Sequence, residues 1–380
     1  MDSSVAPIDR WEDWRKARPE PTFHHLDSAA AGRSSFATLA AVSEHALLEA
    51  RLGAYVAQEI VADALSATCS GLAELLGMPP DGVAYLESAT AALDTLLEVW
   101  PFPEDPTLAV VRSEWGPNLA AFARRGLRLV DLPVDADGHI DLEGLSRLLA
   151  SMPPSAVHVT QVSSHRPLVQ PVADVAAACS AATIPLFVDA AQALGHVDTA
   201  SGADAIYATS RKWLTGPRGV GLLAVAARWM EPRRLGLPAR GSDAADESVG
   251  SLLSSREAHL AGRLGLGVAT REHLALGPES VRHRLGAVGR AARSALGDLD
   301  NWQVIGPIDE PSAITALSPV AGQDVTAVRA RLLADYGIVT TAQQVFRAPR
   351  DMTAPTLRVS PHVDCTPDDL ELLRTALSSL

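Results

Sequence analysis

Lysine is nearly missing from this chain: of its 32 basic residues only Lys16 and Lys212 are lysines, and the rest of the positive charge is arginine. Cysteine is scarce too. Cys69, Cys179 and Cys365 lie far apart with no CxxC pair, which argues against a disulfide framework and against a structural zinc site, so no metal is expected. No window reaches the roughly 18 unbroken apolar residues of a membrane helix. Acidic residues outnumber basic ones for a formal charge of −13, a balance unsuited to neutralising the phosphates of a nucleic acid. The opening MDSSVAPIDRWEDWRKARPE is acidic and polar where a signal peptide would be basic and then apolar. These absences point away from membranes, export and nucleic acid. They leave a soluble, cytoplasmic protein whose 380 residues, 47% of them hydrophobic, can bury one large core and one smaller.

What the chain does contain is alternation. Ser35 to Leu76 reads as two helices interrupted near Gly53. Then GVAYLE leads into a helix from about Thr90 to Val99, TLAVV precedes one near Asn118 to Arg125, and LRLVDLP precedes DLEGLSRLLA. AVHVTQV, VADVAAACSAA, IPLFVDA, DAIYAT and GVGLLAV continue the series. Strand and helix taking turns in this way imply an α/β fold with a mostly parallel sheet covered on both faces. Past Ala258 two long helical stretches precede the short strands AITALS and TLRVS and a last helix, which predicts a smaller α+β unit. The division read from this is a large domain over residues 15–258 and a small one over 259–380, joined by residues 1–14. Leu235 to Ser248, rich in Gly, Pro, Ser and Asp, is expected to be a mobile surface loop.

Ligands of such sheets gather at the carboxyl ends of strands, and four features sit there. Asp189 ends the strand in LFVDAAQALGH; it is a turn former or helix cap, or else a carboxylate fixed beside a cationic ring nitrogen. Lys212 follows a strand by a few residues, between hydroxyls, apolar Trp213 and a glycine-rich exit. In such a crevice an amine can lose its proton and become a nucleophile, which arginine cannot. LESATAAL opens a helix with free N–H groups and the Ser88 and Thr90 hydroxyls, an ordinary cap or a phosphate seat. Trp115, in SEWGPN, is a core aromatic or a flat ring for stacking. Taken together they are the parts of a pyridoxal phosphate site. GPRGVG lacks Walker spacing and precedes a strand where a dinucleotide fingerprint would follow one.

VDAAQALGHVD followed by ADAIYATSRKWLTGPRGVG resembles the signature of the class V aminotransferase superfamily, which holds the cysteine desulfurases and related lyases of fold type I. The resemblance covers nearly the whole chain. It implies the fold-type I architecture, pyridoxal 5′-phosphate as cofactor, and a homodimer with active sites at the interface. By that resemblance Lys212 carries the cofactor covalently, Asp189 pairs with its pyridine nitrogen and Gln192 reaches its phenolic oxygen. Thr209 and Arg211 stand where the family uses Ser and His for the phosphate, beside Ala89, through its backbone, and Thr90. Trp115 stands where the family has its ring-stacking His, and Arg358 matches the arginine that clamps a substrate carboxylate.

More narrowly, LDSAAAGRSSFATL, LGAYVAQE, EWGPNLA, SSHRPLVQPV and LRVSPHVD resemble the pyridoxal phosphate-dependent carbon–sulfur lyases of ergothioneine biosynthesis. The implied reaction is β-elimination of S-(hercyn-2-yl)-L-cysteine S-oxide to pyruvate, ammonia and a sulfenic acid that a thiol reduces to ergothioneine. The alternative, a cysteine desulfurase or general cysteine lyase, would need for sulfur transfer a nucleophilic Cys just before the carboxylate arginine. TTAQQVFRAPRDMTAPTLR has none. Ala30, Tyr55, Ser164 and His165 are the further candidates for reading the substrate, Tyr55 because a quaternary ammonium favours an aromatic face. His24 and His25 are expected near the site mouth, and Arg256, Glu257 or His259 near a partner's cofactor.

Overall fold

The computed structural model describes residues 10–237, 248–257 and 259–380, so most of the expected loop at Leu235–Ser248 lies outside the described residues. Helix α1 (Arg10–Lys16) and the short strand β1 (His24–His25) come first, followed by α2 (Phe36–Leu52), α3 (Ala54–Ile60) and α4 (Ala62–Leu76). Where two helices are expected the chain makes three. Gly53, at φ 85°, breaks the run once, and Val61 leaves helical geometry at ψ 8° to break it again.

Strand and helix then alternate as β2 (Val83–Leu86), α5 (Ala89–Val99), β3 (Thr107–Val110), α6 (Gly116–Arg124), β4 (Arg128–Asp131) and α7 (Leu142–Ser151). The series continues with β5 (Ala156–Thr160), α8 (Val172–Ala181), β6 (Leu186–Asp189), β7 (Ala205–Thr209) and β8 (Gly221–Val225). The strands β2 to β8 form one sheet in the order β2-β8-β7-β6-β5-β3-β4. β3 to β7 are parallel, and β8 runs antiparallel to both of its neighbours. The mostly parallel sheet of the sequence reading is therefore present.

β5, β6 and β7 are buried at every position, as a sheet coated by helices on both faces requires. Side-chain alternation divides each strand between two cores. Val157, Val159, Val188 and Ile206 join Leu72, Leu76 and Leu145 on one face. Phe187, Tyr207 and Leu223 meet Leu93, Leu96 and Phe122 of α5 and α6 on the other.

The remaining elements are α9 (Val249–Leu253), α10 (Leu260–Leu276), α11 (Pro278–Leu296), β9 (Trp302–Ile305), β10 (Thr315–Pro319) and α12 (Val325–Tyr336). β11 (Ile338–Val339), β12 (Thr341–Gln343), β13 (Thr356–Val359) and α13 (Pro367–Ser378) complete the chain. An antiparallel sheet, β12-β13-β10-β9, packs on α11, α12 and α13 around Trp302, Leu317, Leu332, Leu357 and Leu373.

The domain boundary expected at residue 259 is crossed from both sides. α10 lies on α2 and α4, because its small residues leave nothing between the helices: a Cβ at Gly267 would stand 2.2 Å from Thr68 Oγ1. In the other direction β1 pairs in parallel with β11, and Asp27 bridges to Ser360 just after β13.

Candidate active site

The carboxyl ends of β5, β6 and β7 open into a cleft of about 450 Å³. Asp189 is the last residue of β6, and Lys212 sits on the turn that follows Thr209 at the end of β7. Ala89 and Thr90 open α5, and Trp115 is the cap residue of α6. All of these line the cleft together with Gln192, Arg211, Ala30, Ser164 and Arg358.

The other sequence candidates lie elsewhere. Tyr55 is 84% exposed on α3 and is no part of the cleft; its helix turns the ring outward. His165 lines a neighbouring pocket and is absent from this one, held there by Asp351, whose Oδ2 is 2.7 Å from Nε2. Its Nδ1 is 2.8 Å from Ser163 Oγ, so the ring braces the loop that presents Ser164. His24 and His25 line a separate pocket with Arg33 and Asp369, where β1 is held by β11. Arg256, Glu257 and His259 are likewise outside the cleft lining.

Lys212 is held from behind. A Cβ at Gly32 would stand 2.3 Å from the Lys212 carbonyl oxygen, and the Gly32 N–H donates to Arg211 O at 2.7 Å, so only glycine lets this strand of chain pass so close. Trp213, next in sequence, is buried and stacks on His196 at 4.0 Å, while its Nε1 donates to Gln192 Oε1 at 2.8 Å. Gln192 Nε2 spends one hydrogen on Ala29 O at 3.0 Å and keeps its second. Burial first, then the charges of Arg211, Arg358 and Arg347, pull the Lys212 amine down to about 7 against the opposing pull of Asp189. An amine of that kind is about half free base at neutrality, where an ordinary lysine is almost wholly protonated.

Behind Asp189 lies a buried polar network that the sequence reading missed. Asn118 Nδ2 donates to Asp189 Oδ2 at 2.9 Å and to Glu114 Oε1 at 2.8 Å, and Tyr207 Oη is 3.0 Å from the same nitrogen. His158 Nδ1 is 2.9 Å from Glu114 Oε2, and its Nε2 is 3.0 Å from Tyr207 Oη. Thr160 Oγ1 and the Trp115 N–H also donate to Glu114 Oε1, at 2.7 and 2.9 Å. Burial alone would raise the Glu114 carboxyl, but His158, Thr160 and Asn118 outweigh it and hold it below the usual range. Asp189 goes the other way, raised by burial and by the Glu114 charge.

Arg358 comes from β13. Its Nη1 donates to Ser164 O at 2.9 Å and its Nη2 to Asp27 Oδ1 at 3.1 Å, while Thr341 Oγ1 fixes Asp27 at 2.7 Å. The guanidinium is 1% exposed and its Nε has no partner, a buried donor left for a ligand.

The chemistry of this donor set fits pyridoxal phosphate. Ser88 Oγ accepts the Ala91 N–H at 3.1 Å and so caps α5, leaving the Ala89 and Thr90 N–H groups free for an anion at the helix start. Thr209 and Arg211 stand beside that seat, Trp115 offers a ring face, Asp189 a carboxylate for a ring nitrogen and Lys212 an amine for an aldehyde.

The family model for aminotransferase class-V matches residues 24–373. The chain is 49% identical over 364 residues to a probable hercynylcysteine sulfoxide lyase of Mycobacterium tuberculosis, a match covering 96% of this chain and 92% of that one. A cysteine desulfurase of Dickeya dadantii is 26% identical over 254 residues, 62% of this chain and 61% of its own. Among solved structures, the apo cysteine desulfurase of Thermococcus onnurineus NA1 superposes with a TM-score of 0.84 at 19% identity, covering 100% of this chain and 99% of that one, a likeness of fold. The chain belongs to the class V aminotransferase family.

Proposed function

We propose that this chain is a pyridoxal phosphate-dependent carbon–sulfur lyase that cleaves hercynylcysteine sulfoxide. The observation that carries the reading is the near full-length, 49% identity to a protein named for that activity, joined to a cleft that holds Lys212, Asp189 and Arg358 together. Pyridoxal phosphate, when bound, supplies an electron sink conjugated to the substrate's Cα.

The chain's own residues do the rest. Arg358 takes the cysteine carboxylate through its free Nε and orients Cα toward Lys212. The Lys212 Nζ, with its pKa drawn down to about 7, accepts the Cα proton. Asp189, steadied by Asn118, would pair with the ring nitrogen of the bound cofactor and favour its protonated form. The Cβ–S bond then breaks with its electron pair on sulfur. The sulfur half departs as a sulfenate, and the three-carbon half becomes 2-aminoacrylate, which water converts to pyruvate and ammonia. An external thiol reduces the sulfenic acid.

A cysteine desulfurase reading finds less support. None of Cys69, Cys179 and Cys365 lines the cleft, so the described residues offer no thiol to receive sulfur. The same free thiols suit a reducing compartment, and we place the reaction in the cytoplasm. No helix among the described residues is long and apolar enough to cross a membrane.

We also read the protein as a homodimer. Leu39, Leu47 and Leu52 of α2 and Tyr55, Val56 and Ile60 of α3 are large, apolar and exposed within one stretch of the chain. A face of that kind on a folded chain is best covered by another surface. The experiment that tests the function is pyruvate release from hercynylcysteine sulfoxide set against release from cysteine. A higher kcat/KM for the sulfoxide is expected, and preference for cysteine would overturn the assignment.

A further inference from the structure

The turn at Val345–Arg347 roofs the cleft and brings one more cation to it, Arg347. Its place is fixed at both ends. The Phe346 carbonyl oxygen lies where a Cβ on Gly116 would stand, 2.0 Å away, so the turn is pressed on the first turn of α6 beside Trp115. Downstream, Asp351 anchors to His165 and Arg166 at 2.7 Å each. Arg350, three residues on, pairs with Asp131. Arg347 itself has no side-chain hydrogen bond or ion pair among the described residues, although it is half-buried in the cleft wall.

A charge count shows what is missing. Arg211, Arg218, Arg347 and Arg358 all line the cleft, while the carboxylates there are Glu87 and Asp189, with Asp27 behind Arg358. Asp189 would be taken by the ring nitrogen of the bound cofactor. Arg218 is the charge that acts most strongly on Arg211, and both belong to the turn after β7 that carries Lys212 and the phosphate side of the site. The substrate's cysteine carboxylate goes to Arg358. Arg347 remains, and burial together with its charge and those of neighbouring cations lowers the pKa of Lys212, Arg211 and Arg358 alike. The four arginines outnumber the carboxylates around them, and such an excess of like charge is costly unless an anionic ligand completes the set.

We infer that Arg347 binds a second carboxylate, carried on the sulfur-linked half of the substrate, and so selects a cysteine S-conjugate with an anionic distal end over free cysteine. The inference rests on the lyase reading above, because the hercynyl group is a betaine whose carboxylate lies on the far side of the sulfur. Arg347 is then a specificity-determining residue for the leaving half, while Arg358 serves the half that stays behind.

The test uses the holoenzyme, its Arg347→Gln and Arg347→Lys variants, and two pairs of ligands. The first pair is the unreactive hercynine and its primary amide, compared by calorimetry. The second is hercynylcysteine sulfoxide and the same conjugate with its distal carboxylate converted to the amide, compared by steady-state kinetics. One charge-assisted contact is worth about 10-fold to 100-fold, so the native protein should bind hercynine tighter than its amide by that factor, and Arg347→Gln should erase the difference. Arg347→Gln should raise KM for the natural conjugate by a similar factor, spare the amide conjugate, and be partly rescued in Arg347→Lys.

Equal binding of hercynine and its amide by the native protein would overturn the inference. So would a fall in kcat in Arg347→Gln that is the same for both conjugates with KM unchanged, since that would place the guanidinium on the departing sulfur. A native protein inert on the conjugate, yet still choosing hercynine through Arg347, would sink the lyase reading and keep the subsite. Inertness without any such choice would remove both.

Discussion

Asn118 donates a single amide nitrogen to two buried carboxylates, Asp189 at 2.9 Å and Glu114 at 2.8 Å. It keeps two like charges apart with a donor between them and turns Asp189 toward the cleft. Asn118→Leu keeps the volume and removes the donor. Because a hydrogen bond to a charged group is worth about 1.5–3 kcal/mol, kcat should fall roughly 10-fold to 100-fold. Cofactor content, read by absorbance, should remain. Unchanged kcat in a fully loaded variant would show that Asp189 needs no such support.

His158 and Glu114 form the deeper half of that network, both fully buried. His158→Leu strands a carboxylate in the core, which costs about 3–5 kcal/mol near neutral pH. The sign with pH follows from the depressed Glu114 carboxyl. Its stabilising contribution is present above the ordinary glutamate range and is lost as pH falls through its lower folded value. The gap in Tm between native protein and His158→Leu should therefore narrow on acidification. Adding Glu114→Gln should restore much of the loss; a double variant no better than the single one would argue against a charge-pairing role.

For Lys212, the folded amine titrates at about 7, far below its unfolded value. Between those two values the unfolded chain holds a proton the folded chain lacks, so the apoprotein should gain stability as pH rises from about 7 to about 10. Lys212→Met should lose this dependence. Reconstitution of the apoprotein with pyridoxal phosphate should be fast near pH 8 and slow about tenfold per unit below 7, as the free-base fraction falls. A flat rate profile would mean that the amine is not drawn down.

Arg358 has one planar group bound to Ser164 O and Asp27 and a free Nε. A lysine cannot reproduce that fork. Arg358→Lys should raise KM by about 10-fold or more, with Asp27 held by Thr341 alone and a lower Tm as the second sign. Kinetics unchanged in Arg358→Lys would take the residue out of the substrate site.

The exposed apolar stretch on α2 and α3 gives a fifth expectation. Tyr55→Asp combined with Ile60→Asp touches nothing in the cleft, since Tyr55 is 84% and Ile60 59% exposed. Sedimentation should show a dimer for the native protein and a smaller species for the double variant. An unshifted dimer would place the interface elsewhere.

The cleft was legible in sequence where chemistry and local structure coincide in a few residues. Asp189 ends an unbroken apolar strand, and Lys212 stands between a strand and a glycine-rich turn, so position along the chain was enough. The network behind Asp189 was not legible. His158 and Tyr207 sit in runs that read as core strand, and only the lateral pairing β5-β6-β7 brings them beside Glu114 and Asn118. Tyr55 and His165 stand outside the lining of this chain's own cleft for a related reason: residue type suggests a role, but the direction of a side chain is set by packing. Asp351, 186 residues further along the chain, decides where His165 points. The packing of α10 on α2 and α4 was not legible either, because it rests on a small face that looks from sequence like any other helical stretch.

The scarcity of lysine has a consequence for a protein that handles carbonyl compounds. Pyridoxal phosphate is an aldehyde and pyruvate a ketone, and both condense with any unprotonated amine they can reach. Lys16 is tied to Glu12 at 2.7 Å, and that hydrogen bond raises its pKa, which keeps it protonated and inert. Among side chains, Lys212 is then the single address at which such adducts form. Borohydride trapping followed by peptide mapping should return one labelled lysine, Lys212, and the surface stays clean of the stray side-chain products that a lysine-rich coat would collect.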